Sequence, residues 1–77
     1  MREKILKILN DINADVDYET ESALIDDGVI DSFDIVSLVG ELNSCFDIKI
    51  TVVDLVPENF NSLDAMTALV ERLVNGR

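Results

Sequence analysis

Apolar residues recur along this chain with the period of an α-helix. Ile5, Ile8, Leu9 and Ile12 stand at i, i+3, i+4 and i+7, while Arg2, Glu3, Lys4, Lys7 and Asp11 take the other positions. This spacing predicts an amphipathic helix over roughly residues 2–13, its stripe widened by Leu6. Val36, Val39, Leu42 and Phe46 form a second stripe, with Ile35 and Leu38 alongside. Leu63, Met66, Val70 and Leu73 form a third, with Leu69 and Val74 at its margins. Only Ile48, Ile50 and Val52 alternate as in a strand, and no second segment offers to pair with them. A lone strand leaves its backbone groups unsatisfied. That segment therefore reads as an extended loop entering a short helical turn, capped by Thr51 with Asp54 and stopped by Pro57. The expectation is all-α: three longer helices and one short one around a single core.

The ends of these helices are also written in the sequence. Asp31 is a good N-cap for the second helix, and Asp34 follows three residues later, where a carboxylate suits the helix dipole. The last helix is expected to begin at Asn61 or Ser62, with Asn61 and Asp64 as a candidate N-cap pair, and to end at Asn75-Gly76. Gly40 falls inside the second helix at a cost of about 1 kcal/mol relative to Ala, which suggests a close neighbour or a contact surface. Residues 14–31 form a long connection, crowded by Asp15, Asp17, Glu19, Glu21, Asp26 and Asp27 and punctuated by Val16, Leu24 and Ile25. Connections of this length in a small domain are usually functional. The apolar residues are expected to pin it to the core, and Gly28 supplies a turn position open to positive φ.

Composition narrows the possible functions. At 77 residues the chain is one domain with a small core. It has no His, which removes Ser-His-Asp and Cys-His catalysis and His-bound metals. Its single Cys cannot form an internal disulfide, in keeping with a reducing compartment. The N-terminal residues lack the apolar run of a secretory signal, and nothing approaches the roughly 20 apolar residues of a membrane span. The expectation is a cytoplasmic, non-inserting monomer. Sixteen acids against six bases give a net charge of -10. Nine of those acids, and no base, lie between Asp11 and Asp34. Such a surface disfavours nucleic acid and favours a basic protein partner, through contacts that weaken as salt rises.

The densest polar constellation is Asp26-Asp27-Gly28-Val29-Ile30-Asp31-Ser32-Phe33-Asp34. Ser32 falls in the first turn of the second helix, where its hydroxyl is exposed. Helix N-terminal N–H groups suit a phosphate ester there. Asp31 and Asp34 repel it, which keeps a modified group in solvent or recruits a divalent cation from an enzyme that installs it. Asp15, Asp17, Glu19 and Glu21 alternate like the start of an EF-hand loop. The sixth and twelfth positions, however, hold Thr20 and Asp26 in place of Gly and Glu, so no dedicated metal site is expected. Cys45 lacks an activating base and reads as a buried or half-buried structural residue.

Asp31-Ser32-Phe33, at a helix start in a short acidic helical chain, resembles the signature of the acyl carrier protein family. The likeness runs through the first helix, the long loop, Phe46-Asp47 and the closing helix from Asn61 to Gly76. It implies an acyl-carrier-protein-like four-helix bundle with the long loop between helices 1 and 2. It also implies a non-catalytic carrier in which Ser32 bears a 4′-phosphopantetheine arm donated by coenzyme A. In this family the preceding aspartate, here Asp31, helps position the magnesium of the phosphopantetheinyl transferase. Phe33, Asp34, Ile35 and Glu41 are the expected partner contacts. Beyond the transferase, the partner would be an adenylating ligase, or an acyltransferase or synthase, with a basic docking surface.

Two departures bear on cargo. Fatty-acid carriers usually place Gly three residues before the serine, whereas Gly28 lies four before Ser32. Their second helix is strongly acidic, and here Ser37, Asn43 and Ser44 dilute it. The Asp-Gly-x-x-Asp-Ser form and the run from Asp54 to Phe60 look more like D-alanyl carriers and stand-alone carriers that serve an adenylating ligase. A fatty-acid or polyketide-type carrier is the alternative, and its core would open to shelter an acyl chain. Phe33 and Ile35 are either buried against the loop or partly exposed to partners, while Val36, Val39, Leu42 and Met66 read as core. An unmodified acidic interaction module and a weak divalent-ion sensor are the readings from other classes.

Overall fold

The computed structural model describes residues 1–76. Four α-helices follow one another: α1 (Arg2–Ile12), α2 (Ser32–Phe46), α3 (Pro57–Phe60) and α4 (Leu63–Asn75). A 3₁₀ turn, Val52–Asp54, precedes α3, and no strand forms among the described residues. The chain is thus a small all-α bundle of three longer helices and one short one. α1 packs against α2 and α4, and α3 packs against α4.

Each amphipathic stripe supplies a share of one core. Ile5, Ile8 and Leu9 come from α1, Leu38 and Leu42 from α2, Phe60 from α3, and Leu63, Met66, Leu69 and Val70 from α4. The long connection contributes Tyr18, Leu24 and Ile30, all buried. It is pinned as expected, although Leu24 is joined by two residues the periodicity did not single out. Tyr18 is held at both ends: its ring lies in the core, and its hydroxyl lies 2.8 Å from the Asn13 carbonyl and 3.1 Å from that of Leu9. It thereby closes the C-terminal end of α1. Gly28 has φ +70, as its place in the turn predicts.

The structure corrects several expectations. On α2 the buried line runs through Leu38 and Leu42, whereas Val36 is 72% exposed. Apolar residues cover most of the circumference of α2, so periodicity alone could not choose the phase. The same rotation leaves Cys45 exposed and not buried. It also leaves Gly40 facing open space, since a Cβ there would meet nothing within 4 Å. Leu69 is buried at 1% exposure and belongs to the core, while Leu73 is half-buried. Pro57 opens α3 at its first position instead of stopping the preceding turn, because its missing N–H is spare there. Ser62, not Asn61, caps α4, with its hydroxyl accepting from Ala65 N–H at 3.0 Å. Asn61 instead reaches across to the long connection.

Candidate functional site

The site begins with how the chain enters α2. Asp31 is extended, with φ -96 and ψ -176, and its Oδ1 accepts the Asp34 N–H at 2.9 Å. The Asp34 carboxylate in turn faces the Asp31 N–H at 3.5 Å, completing a reciprocal box. The Asp31 carbonyl takes the first helical bond, from Ile35 N–H at 3.0 Å. With Asp31 as the cap, Ser32 falls one residue later, on the first helical position. Had Ser32 been the cap, its oxygen would have been spent on a backbone N–H. Instead Ser32 is exposed, and its hydroxyl has no hydrogen-bond partner among the described residues.

The electrostatics around this hydroxyl are mixed. The first-turn N–H groups of α2, including those of Ser32 and Phe33, lack intrahelical partners and carry the positive end of the helix dipole. The carboxylates of Asp31 and Asp34 flank them, and the exposed Asp26 and Asp27 stand on the approaching loop. The field of Asp34 also reaches Tyr18, whose phenol is pushed up from its ordinary range by burial first and by Asp34 second. Among the described residues no three His, Cys, Asp or Glu side chains converge as a metal-binding group.

An apolar surface adjoins the hydroxyl. Phe33, directly after Ser32, is 84% exposed and so is not buried against the loop. One turn from Ser32, Ile35 is half-buried and lines a groove of about 150 Å³ with Ile25, Leu55, Val56, Pro57 and Phe60. Ile50 N–H donates to Asn43 Oδ1 at 2.9 Å, tying that segment to the far half of α2. From there the chain returns beside α2 to the Ile35 groove, and on the way it presents Val52 and Val53, both more than 80% exposed. Sequence reasoning did not single out these two valines as surface contacts. The available signal was an apolar pair in a turn bounded by Thr51 and Asp54, too short to bury both side chains.

The predicted contact residues do not all share one face. Ile35 lines the groove, whereas Phe33, two residues away and so on the other side of the helix, stands exposed. Asp34 is engaged in the cap. Glu41 is exposed in a separate depression that it lines with Ile8, Asp11, Ile12 and Ser37 beside α1. No family model matches the chain.

Proposed function

We propose that this chain is an acyl or aminoacyl carrier whose Ser32 bears a 4′-phosphopantetheine arm. The observation that carries the proposal is the unspent Ser32 hydroxyl, exposed on the first turn of α2 because Asp31 takes the cap. An attachment point needs a hydroxyl that an enzyme can reach and that no protein group already holds. Ser32 meets both conditions, beside an apolar groove and an acidic loop on which a partner can dock.

In arm addition, the Ser32 oxygen attacks the coenzyme A phosphorus that bears pantetheine. The bond from that phosphorus to the adenosine bisphosphate breaks, and the serine proton passes to a base of the transferase. Asp31 holds the turn through Oδ1, and its carboxylate would help position the magnesium of the transferase. Once attached, the arm supplies a thiol that holds cargo as a thioester. The protein then works by tethering, which raises the effective concentration of cargo at each partner site. The partners are the phosphopantetheinyl transferase and a ligase, or an acyltransferase or synthase, with a basic surface for the loop acids. Phe33, Val52 and Val53 add an apolar contact.

The packing supports a short cargo. Ile5, Leu9, Leu24, Leu38, Leu42, Met66 and Val70 are completely buried. The groove beside Ser32 is close in volume to a cavity of about 150 Å³ that takes benzene. An aminoacyl group such as D-alanyl, or a short acyl group, suits this surface better than a long fatty chain.

The test is to incubate the purified chain with coenzyme A, magnesium and a promiscuous transferase, then measure intact mass. The wild type should gain one arm and Ser32→Ala none. An unchanged wild-type mass, under conditions that modify a control carrier, would leave the unmodified interaction module as the better account.

A further inference from the structure

Asn61 makes four hydrogen bonds to the loop that leads to Ser32. Its Oδ1 accepts from the backbone N–H of Ile25 at 3.0 Å and of Asp26 at 3.1 Å. Its Nδ2 donates to Asp26 Oδ2 at 3.1 Å. Its carbonyl accepts the Leu24 N–H at 2.9 Å. The loop is also closed on itself. Ile30 N–H donates to the Leu24 carbonyl at 3.0 Å, Asp27 N–H to that of Ala23 at 2.8 Å, and Gly28 N–H to that of Ile25 at 3.0 Å. Leu24 and Ile30 are buried, and Ile30 directly precedes Asp31-Ser32. One residue at the junction of α3 and α4, three of these bonds coming from its side chain, therefore fixes the segment that delivers Ser32. It also fixes Ile25, a wall of the adjoining groove.

We infer that Asn61 is a positioning residue for modification of Ser32. It holds the acidic loop, the α2 start and the groove wall in one arrangement that a docking enzyme reads together. The inference rests on the carrier reading above. Asn61 is free for this task because Ser62 caps α4. The site requires a carboxamide, since one end must accept two backbone N–H groups while the other donates to a carboxylate. An Asp at this position keeps the acceptors but turns a second carboxylate toward Asp26. Without the clamp the loop must be ordered during docking, and that cost appears as weaker productive binding.

The experiment compares steady-state arm addition in the wild type, Asn61→Asp, Asp26→Asn and the double variant, with coenzyme A and the transferase. Amide exchange over residues 24–30 and helical circular dichroism are recorded in parallel. Asn61→Asp should keep its helical signal, lose protection over 24–30 and lose about tenfold in kcat/KM, mainly through KM. Asp26→Asn alone keeps an oxygen to accept from Asn61 Nδ2, so protection over 24–30 should hold, while the loss of one docking charge raises KM slightly and sets the reference for the double variant. Added to Asn61→Asp, it restores an amide–carboxylate pair with the partners exchanged, and both protection and KM should return to the values of Asp26→Asn alone. If Asn61→Asp fails to fold, Asn61→Gln, which displaces the carboxamide by one methylene, should show the same rise in KM.

Wild-type KM in a variant whose loop has lost protection would overturn the inference, and so would a double variant that regains protection but not the KM of Asp26→Asn alone. Either result leaves the carrier reading intact, because the wild type still loads. A wild type that gains no arm overturns both.

Discussion

Asp31 caps α2 and, in the proposed carrier, also serves arm addition; two substitutions separate the two. Asp31→Ala removes both the cap and the carboxylate, so it should cost about 1 kcal/mol of stability and also slow arm addition. Asp31→Asn keeps an equally good cap, so thermal or urea unfolding should be nearly unchanged while arm addition still falls. If Asp31→Asn loads at the wild-type rate, capping is the only role of this residue. Tyr18 gives a second residue-level test. It is the only tyrosine, and there is no tryptophan, so phenolate absorbance reports on it alone. Burial and Asp34 hold its pKa above the ordinary value of about 10. The stability linked to neutral Tyr18 is therefore complete below pH ~10 and is lost as pH rises through the folded value. A titration followed by absorbance should show a midpoint above that of free tyrosine, and a midpoint at or below it would contradict this environment. Asp31, Ser32 and Gly28 were legible in the sequence because caps and turns are local chemistry. Tyr18 was not, because a single aromatic among acids has no periodicity to reveal that it is buried.

At the scale of elements, α2 shows where pattern reading stops. Its existence and start followed from Asp31, Asp34 and the apolar spacing. Its rotation did not, because Phe33, Ile35, Val36, Leu38, Val39, Leu42, Cys45 and Phe46 offer more than one apolar line. Packing against α1 and α4 chose the line through Leu38 and Leu42, leaving Val36 for solvent or partners. Urea unfolding checks this phase. Leu38→Ala should cost about 2–5 kcal/mol as a cavity-forming change, and Val36→Ala less than about 0.5 kcal/mol as a surface change. Equal losses at the two positions would mean a different rotation. The segment from Ile48 to Phe60 was half legible. The missing strand partner ruled out a sheet, but Pro57 was read as a stop and is a first helical residue, a role proline also fills well.

For the whole molecule, the bundle and its three amphipathic helices were legible, the rotation of α2 apart, because burying three apolar faces leaves few alternatives in so short a chain. The exposed apolar surface was not, because it depends on which residues the core leaves out. Two kinds of surface lie exposed: most acids of the long connection, and the apolar side chains of Phe33, Val36, Val52 and Val53. Exposed charges are screened over about 10 Å at 0.1 M salt. In the proposed carrier, KM for arm addition should therefore rise with ionic strength while kcat stays level, and a KM indifferent to salt would assign docking to the exposed apolar side chains alone. The central claim is that one hydroxyl, left free by its neighbour's cap, takes the arm, and locating the adduct tests it most directly. The tryptic peptide 8–49 contains Ser22, Ser32, Ser37 and Ser44. Fragmentation mass spectrometry of that peptide from transferase-treated protein should place the phosphopantetheine mass on Ser32 alone. An adduct on any other serine, or none beside a control carrier that is modified, would contradict the account.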